Sequence, residues 1–203
     1  MLASIPGTIS MGRRRFVITG EARVGKTTIG CALGFAMRAR GLRVGVMKPV
    51  DTLESKDAQA LALAVGSTMP MDLICPYRYG TPPASADAPD LAHIAECFNE
   101  IAAQCDVMLV ESAIMLDSAD LAASLDLEVV LVIGNRPGCA DAATLTIQRC
   151  DSRGLKLAGY ILCDCDPATA VDEESLQQTI KTQYLGRMRH REPLPRPIVE
   201  KLI

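Results

Sequence analysis

Tryptophan is absent from this chain, and aromatic residues of any kind make up only 3% of its 203 residues. That leaves no platform on which successive bases of single-stranded nucleic acid could stack. Excess positive charge is missing too: 21 Lys and Arg against 24 Asp and Glu give a net charge of −3, which argues against a partner read through its phosphate backbone. No nucleic-acid partner is expected. Uninterrupted apolar runs such as Val129–Ile133 are a handful of residues long. A membrane span needs about 20, so no membrane partner is expected either. Met1–Ser10 carries no basic n-region and too few apolar residues for a secretory signal, which points to a cytoplasmic protein. There is no CxxC pair among the eight cysteines, so neither a disulfide framework nor a zinc ribbon is indicated. The one tight pair is Cys163-Asp164-Cys165. Two thiolates fall short of the four ligands of a tetrahedral site, so packed or idle thiols at a strand end are the expectation. Histidine is scarce: His93 falls in an amphipathic segment and His190 in a basic tail, and both read as surface residues.

What remains is an ordinary globular composition, 49% apolar and 22% charged, with length enough for a full core. Residues 1–12 read as a flexible N-terminal extension and 13–203 as one domain. Strands are expected at Arg15–Gly20, Arg43–Lys48, Asp106–Glu111, Glu128–Ile133, Lys156–Cys163 and Tyr184–Met188. Helices are expected at Gly25–Arg40, Asp57–Val65, a segment opening at Pro89, Cys139–Arg153 and Asp172–Thr182, with Ser67–Asp87 an irregular loop. Leu91, Ile94, Ala95, Phe98, Ile101 and Ala102 follow the helical i, i+3, i+4, i+7 spacing. The strand cores are continuous apolar runs rather than alternating ones, as in strands buried on both faces. Strands alternating with helices therefore indicate an α/β fold, a doubly wound and mostly parallel sheet.

Gly20-Glu21-Ala22-Arg23-Val24-Gly25-Lys26-Thr27 matches G-x-x-x-x-G-K-[ST] between an expected strand and an expected helix. Glycines let backbone N–H groups wrap a phosphate, and the helix N-terminus adds further donors and the positive end of its dipole. Lys26 is placed to reach the β and γ phosphates and Thr27 to ligate Mg²⁺. Glu21 is an odd neighbour for a phosphate, expected to point away or to contact Mg²⁺ through water. In an open α/β sheet, ligands bind beyond the carboxyl ends of the strands, where Lys48, Glu111 and Cys163 all fall. Glu111, at the tip of a strand, is a candidate Mg²⁺ ligand. Asp57 is either a second Mg²⁺ ligand or a plain helix cap. Lys48, held extended by the following Pro49, would aim at the γ-phosphate.

From Arg15 to Pro195 these residues resemble the dethiobiotin synthetase family, within the P-loop NTPase group that includes MinD and ParA. The resemblance is carried by Phe16–Gly20 with Val24–Thr27, Lys48-Pro49-Val50, Lys56-Asp57-Ala58, Cys75-Pro76-Tyr77, Val110-Glu111, Gly138-Cys139 with Leu145-Thr146, and Leu157–Tyr160. It implies a seven-stranded parallel sheet and a homodimer with its active site between subunits. It implies ATP and Mg²⁺ as cofactors, held by Gly20 to Thr28 together with Asp57 and Glu111. Lys26 and Lys48 would be the catalytic lysines, Lys48 stabilising a carbamate and the migrating phosphoryl group. The implied reaction adds CO₂ to an amine of diaminopelargonate, phosphorylates the carbamate and closes a cyclic urea.

The chain also departs from the family pattern. Its phosphate loop is one residue shorter, with Ala22 where a threonine is usual, and the Ser-Gly after the Lys-Pro-Val triplet is Thr52-Leu53. The Glu-Gly-Ala-Gly-Gly stretch is Glu111-Ser112-Ala113-Ile114-Met115, and the adenine-reading Asn is Cys163, followed by Asp164. Ile114 and Met115 put bulk where a substrate carboxylate would meet bare backbone N–H groups, and Thr52-Leu53 removes a second polar contact, so diaminopelargonate is expected to bind weakly or not at all. With Cys163 a poor hydrogen-bonding group and Asp164 able to accept from a guanine edge, relaxed base selectivity is expected. Two alternatives stay open on the residues alone: a related P-loop ATPase with a different small-molecule substrate, and a nucleotide-binding switch or accessory protein.

Whichever holds, Lys26→Ala removes a charge-assisted phosphate contact. ATP affinity measured by calorimetry should fall by roughly 30- to 150-fold, and an unchanged dissociation constant in the folded variant would remove the phosphate-loop assignment.

Overall fold

A computed structural model describes residues 13–80, 88–113, 116–164 and 173–203. The first strand, β1 (Arg14–Thr19), feeds through a loop into α1 (Lys26–Arg38) and then β2 (Val44–Met47). A short excursion follows: β3 (Val50–Thr52), α2 (Lys56–Val65), α3 (Met71–Ile74) and β4 (Tyr77–Tyr79). The chain continues through α4 (Leu91–Ala102), β5 (Val107–Glu111), α5 (Ser118–Ser124), β6 (Glu128–Gly134), α6 (Cys139–Ser152) and β7 (Leu157–Cys163). It closes with α7 (Glu173–Thr179), β8 (Tyr184–Met188) and α8 (Arg196–Glu200). Among the described residues no helix is long and apolar enough to cross a membrane.

The principal sheet has the order β2-β5-β1-β6-β7-β8, and every neighbouring pair is parallel. Phe16, Val17, Ile18 and Val110 have no exposed surface, and the other apolar residues of β5 and β6 are at most 4% exposed. This accounts for the unbroken apolar strands: helices cover both faces, so neither face of a strand may be polar. From α1, Ile29, Leu33 and Met37 enter the core at helical spacing. The order reverses at β1, which leaves β5 on one side and β6 on the other, and the loop after β1 therefore opens at the switch point where such sheets bind ligands.

Several elements differ from expectation. The main sheet holds six strands among the described residues, not seven, while β3 and β4 pair separately as a two-stranded parallel ribbon. The segment expected to be irregular contains α3 and β4, and α5 and α8 were not anticipated. These pieces run three to seven residues, too short for periodicity to register. α5 did carry a local signal, since the Asp117 carboxylate accepts from the Ala119 N–H at 2.8 Å. α7 is shorter than the helix expected there. The N-terminal extension and Cys165 lie outside the described residues.

The carboxyl ends of β6, β7 and β8 are joined by a buried polar cluster. Asn135, 1% exposed, donates through Nδ2 to Asp164 Oδ1 at 2.7 Å, and Arg187 Nε lies 3.0 Å from both Asp164 oxygens. Arg187 also pairs with Glu173 of α7. Burial alone would push the Asp164 carboxyl up, but the hydrogen bonds from Arg187 and Asn135 outweigh it and hold the group below its ordinary 3.8. A carboxyl depressed on folding stabilises the fold above its unfolded pKa, and that contribution disappears as pH falls through the folded value. Asp164→Ala leaves Arg187 and Asn135 without their acceptor, and should cost about 2–3 kcal/mol near neutral pH, somewhat less than for a fully buried pair because Arg187 is partly exposed. Urea unfolding should show this deficit shrinking in acid below about pH 4; a deficit that is absent at neutral pH, or that grows in acid, would contradict the cluster's role.

Candidate active site

The loop from Gly20 to Thr27 is shaped by contacts that only glycine tolerates at two places. Gly20 has φ +149°, and a Cβ there would sit 2.2 Å from the Val132 carbonyl oxygen. Gly25 has φ +91°, and a Cβ there would sit 2.8 Å from Cys163 Sγ. Val24 is buried and anchors the loop to the core, while Glu21, Ala22, Arg23 and Thr28 are exposed along it. The first turn of α1 has no acidic residue and no side-chain cap, so its first N–H groups are not taken by a capping side chain and the positive end of the helix dipole is not offset there. Lys26 Nζ lies back along the loop, donating to the carbonyl oxygens of Gly20 at 3.1 Å and Glu21 at 2.6 Å. Burial pulls the Lys26 ammonium below its ordinary range and Lys48 adds to that, against the opposing pull of Glu111 and Asp57.

A second group of charges stands beside the loop. Glu111, at the tip of β5, is 2% exposed, and its Oε1 accepts from Lys48 Nζ at 2.6 Å and from Thr27 Oγ1 at 2.9 Å. Lys48, 7% exposed, also lies 3.0 Å from Asp57 Oδ2. Burial would lower the Lys48 pKa, but Glu111 and Asp57 overcome it and hold the ammonium above its ordinary value. Burial pushes the Glu111 carboxyl up in spite of Lys48 and Thr27. Its other oxygen, Oε2, is buried with no hydrogen-bond partner among the described residues. An orphaned carboxylate oxygen beside a threonine hydroxyl and a second carboxylate is a hard-oxygen donor set of the kind Mg²⁺ takes alongside water and phosphate. The residues therefore fit Mg²⁺.

The structure thus brings Lys26, Thr27, Lys48, Asp57 and Glu111 together. They line a cavity of ≈ 690 Å³, with Tyr79 of the β3–β4 ribbon on its outer wall. The choice left open for Asp57 is narrowed by Asp51, whose carboxylate accepts from the N–H groups of Thr52 and Ala58 and so caps α2. Asp57 turns to Lys48 instead. Glu21 points away from the loop, its Oε2 2.7 Å from Arg136 in the β6–α6 turn.

Cys163 and Asp164 do not line this cavity. Cys163 is 4% exposed and packed under Gly25, so its thiol is part of the loop's bed. Asp164 accepts from Arg187 and Asn135. Ile114 and Met115 lie outside the described residues. Their neighbour Ser112 is buried, donating to Thr19 Oγ1 at 3.3 Å, and Thr19 donates in turn to Ser118 at 2.9 Å. Asp51, Tyr79, Asn135 and Arg136 were missed. Asp51 and Asn135 act through chain contacts that no spacing rule encodes; Arg136, flanking Pro137-Gly138 ahead of a helix, carried at most the signal of a turn.

Comparison with known proteins agrees with this geometry. A family described as "AAA domain" matches residues 13–197. The ATP-dependent dethiobiotin synthetase BioD of Anaeromyxobacter dehalogenans (strain 2CP-C) is 34% identical over 201 residues, covering 90% of this chain and 88% of its own. That of Aromatoleum aromaticum is 35% identical over 204 residues, covering 88% and 91%. Among solved structures, MinD of Pyrococcus horikoshii OT3, complexed with Mg-ADP, aligns with a TM-score of 0.58 at 18% identity, covering 95% of this chain and 87% of that one. A ParA family ATPase from Chlorobium tepidum TLS aligns at 0.62 with 12% identity, covering 94% and 90%. These distant structures speak to the P-loop fold alone, whereas the sequence relatives match along nearly their whole length: the chain belongs to the dethiobiotin synthetase family.

Proposed function

We propose that this protein is an ATP- and Mg²⁺-dependent ligase that makes dethiobiotin from diaminopelargonate and CO₂. The observation that carries the reading is Lys48. A nucleotide site needs one phosphate lysine, supplied here by Lys26. Lys48 is a second lysine, buried, charged and facing the same cavity, where an acceptor carbamate would meet the γ-phosphate.

In the proposed reaction an amine of the substrate adds to CO₂ and loses a proton, giving a carbamate. A carbamate oxygen takes the γ-phosphoryl group from ATP and ADP departs. The second amine then attacks the carbonyl carbon, closing the urea ring with release of phosphate. The backbone N–H groups of the loop from Gly20 to Gly25 and of the first turn of α1 would hold the β and γ phosphates, with Lys26 swinging from the carbonyls of Gly20 and Glu21 to meet them. Thr27, Asp57 and Glu111 would hold Mg²⁺, which neutralises phosphate charge. Lys48 pairs with the developing charge on the carbamate and the transferring phosphoryl group. Positioning of two anions in one cavity supplies the rest.

A homodimer belongs to this proposal, as the family resemblance implies. The expectation of weak diaminopelargonate binding rests on Ile114 and Met115 together with Thr52-Leu53 and bears on the KM rather than on the class of reaction.

The test supplies ATP, bicarbonate and diaminopelargonate and follows ADP and dethiobiotin together. Equal release of the two is expected, and Lys48→Ala should lower kcat by about 10²-fold or more while ATP affinity falls far less. ADP release without dethiobiotin, or full activity in Lys48→Ala, would refute the assignment.

A further inference from the structure

Glu21 sets a carboxylate in the middle of a loop built to accept a polyphosphate. Left alone, a negative charge there repels the ligand. Lys26 lies within the field of the Glu21 charge, and the chain sets Arg136 against it, with a guanidinium nitrogen 2.7 Å from Glu21 Oε2. Both side chains are about half exposed, at 49% and 46%. A pair that wet adds little to folding stability, so its consequence falls on the loop and on what the loop binds.

Arg136 stands on a fixed base. The preceding residue, Asn135, is buried; its N–H donates to the Cys163 carbonyl at 2.8 Å and its side chain to Asp164, which Arg187 holds in turn. The turn carrying Arg136 is thereby tied to the ends of β7 and β8. On the other side, the Glu21 carbonyl is one of the two groups on which Lys26 Nζ rests. One loop residue therefore links the phosphate lysine, through its backbone, to the β6–α6 turn, through its side chain.

On this geometry, and resting on the nucleotide-site reading above, we infer that Arg136 is a positioning residue for nucleotide binding: it neutralises Glu21 and holds it turned out of the phosphate loop. Arg136 acts through Glu21 and not by touching phosphate. Removing Arg136 frees a carboxylate to lean over the loop, while removing the Glu21 charge makes Arg136 dispensable. This interdependence separates the inference from a direct phosphate contact, for which loss of Arg136 would weaken binding whatever residue stands at position 21.

The experiment is a double-mutant cycle read as the MgATP dissociation constant by calorimetry, with urea midpoints taken in parallel. Arg136→Ala should weaken MgATP binding by about 5- to 10-fold, less at high salt, with a nearly unchanged urea midpoint. Arg136→Lys should recover most of the loss. Glu21→Gln should bind MgATP somewhat more tightly than wild type, and the double variant Glu21→Gln, Arg136→Ala should return to within about twofold of wild type. A double variant as weak as Arg136→Ala would overturn the inference in favour of direct phosphate contact, and an unaltered dissociation constant in Arg136→Ala would overturn it outright. Failure of the wild-type protein to bind MgATP at all would instead remove the nucleotide site, and this inference with it. Because the readout is binding, it stands apart from whether dethiobiotin is the product.

Discussion

Glu111 is a carboxylate taken almost wholly out of water at the tip of a central strand, and the site is arranged around compensating it. A buried charge without partners is costly enough that the group would rather take up a proton. Lys48 comes from the end of β2, Thr27 from the first turn of α1, and Asp57 from the first turn of α2 to balance Lys48 in its turn. Lys48 and Thr27 thus converge on one oxygen atom, Oε1, and Asp57 reaches it only through Lys48, while the second oxygen is buried with no hydrogen-bond partner among the described residues. A closed ion pair would satisfy both oxygens, whereas this one leaves an acceptor open.

The sheet order is what allows this convergence. β5, with Glu111, lies between β2, with Lys48 just past its end, and β1, which opens into the phosphate loop. Two crossovers therefore deliver a lysine and a carboxylate to the same edge as the loop. On the far side of β1, β6 and β7 supply the floor: the Val132 carbonyl oxygen lies under Gly20 and Cys163 Sγ under Gly25. The loop's glycines are thus demanded from below by packing as well as by the ligand above. The buried Asn135–Asp164–Arg187 cluster keeps the strand ends that form this floor in register.

Much of this was legible in the sequence, because its signals are local or periodic. The phosphate loop is a contiguous pattern between a strand and a helix, and Lys48 and Glu111 stand out as charges ending apolar runs. The long helices and central strands follow from apolar spacing. The short pieces α3, β4, α5 and α8 did not show, since three to seven residues hold too little periodicity. Nor did the roles set by tertiary geometry. Asp51 rather than Asp57 caps α2, and Asp164 pairs with Arg187 and Asn135. Cys163 stands where the family has its base-reading residue but packs beneath Gly25. In each case the residue type permitted two uses, and the choice was made by a tertiary contact, seven residues away for Asp51 with Ala58 and 23 for Asp164 with Arg187.

The claim that Glu111 is poised for a metal ion is tested most directly by measuring how much Mg²⁺ strengthens ATP binding in the wild-type protein and in Glu111→Gln, by calorimetry with and without the ion. Gln keeps the shape and one acceptor oxygen beside Lys48 and Thr27 but cannot supply the anionic oxygen. A clear Mg²⁺ enhancement is expected in the wild-type protein and should largely disappear in Glu111→Gln, while ATP without Mg²⁺ binds the variant at least as well. An equal Mg²⁺ enhancement in both proteins would contradict it, leaving Glu111 as no more than the buried counter-charge of Lys48.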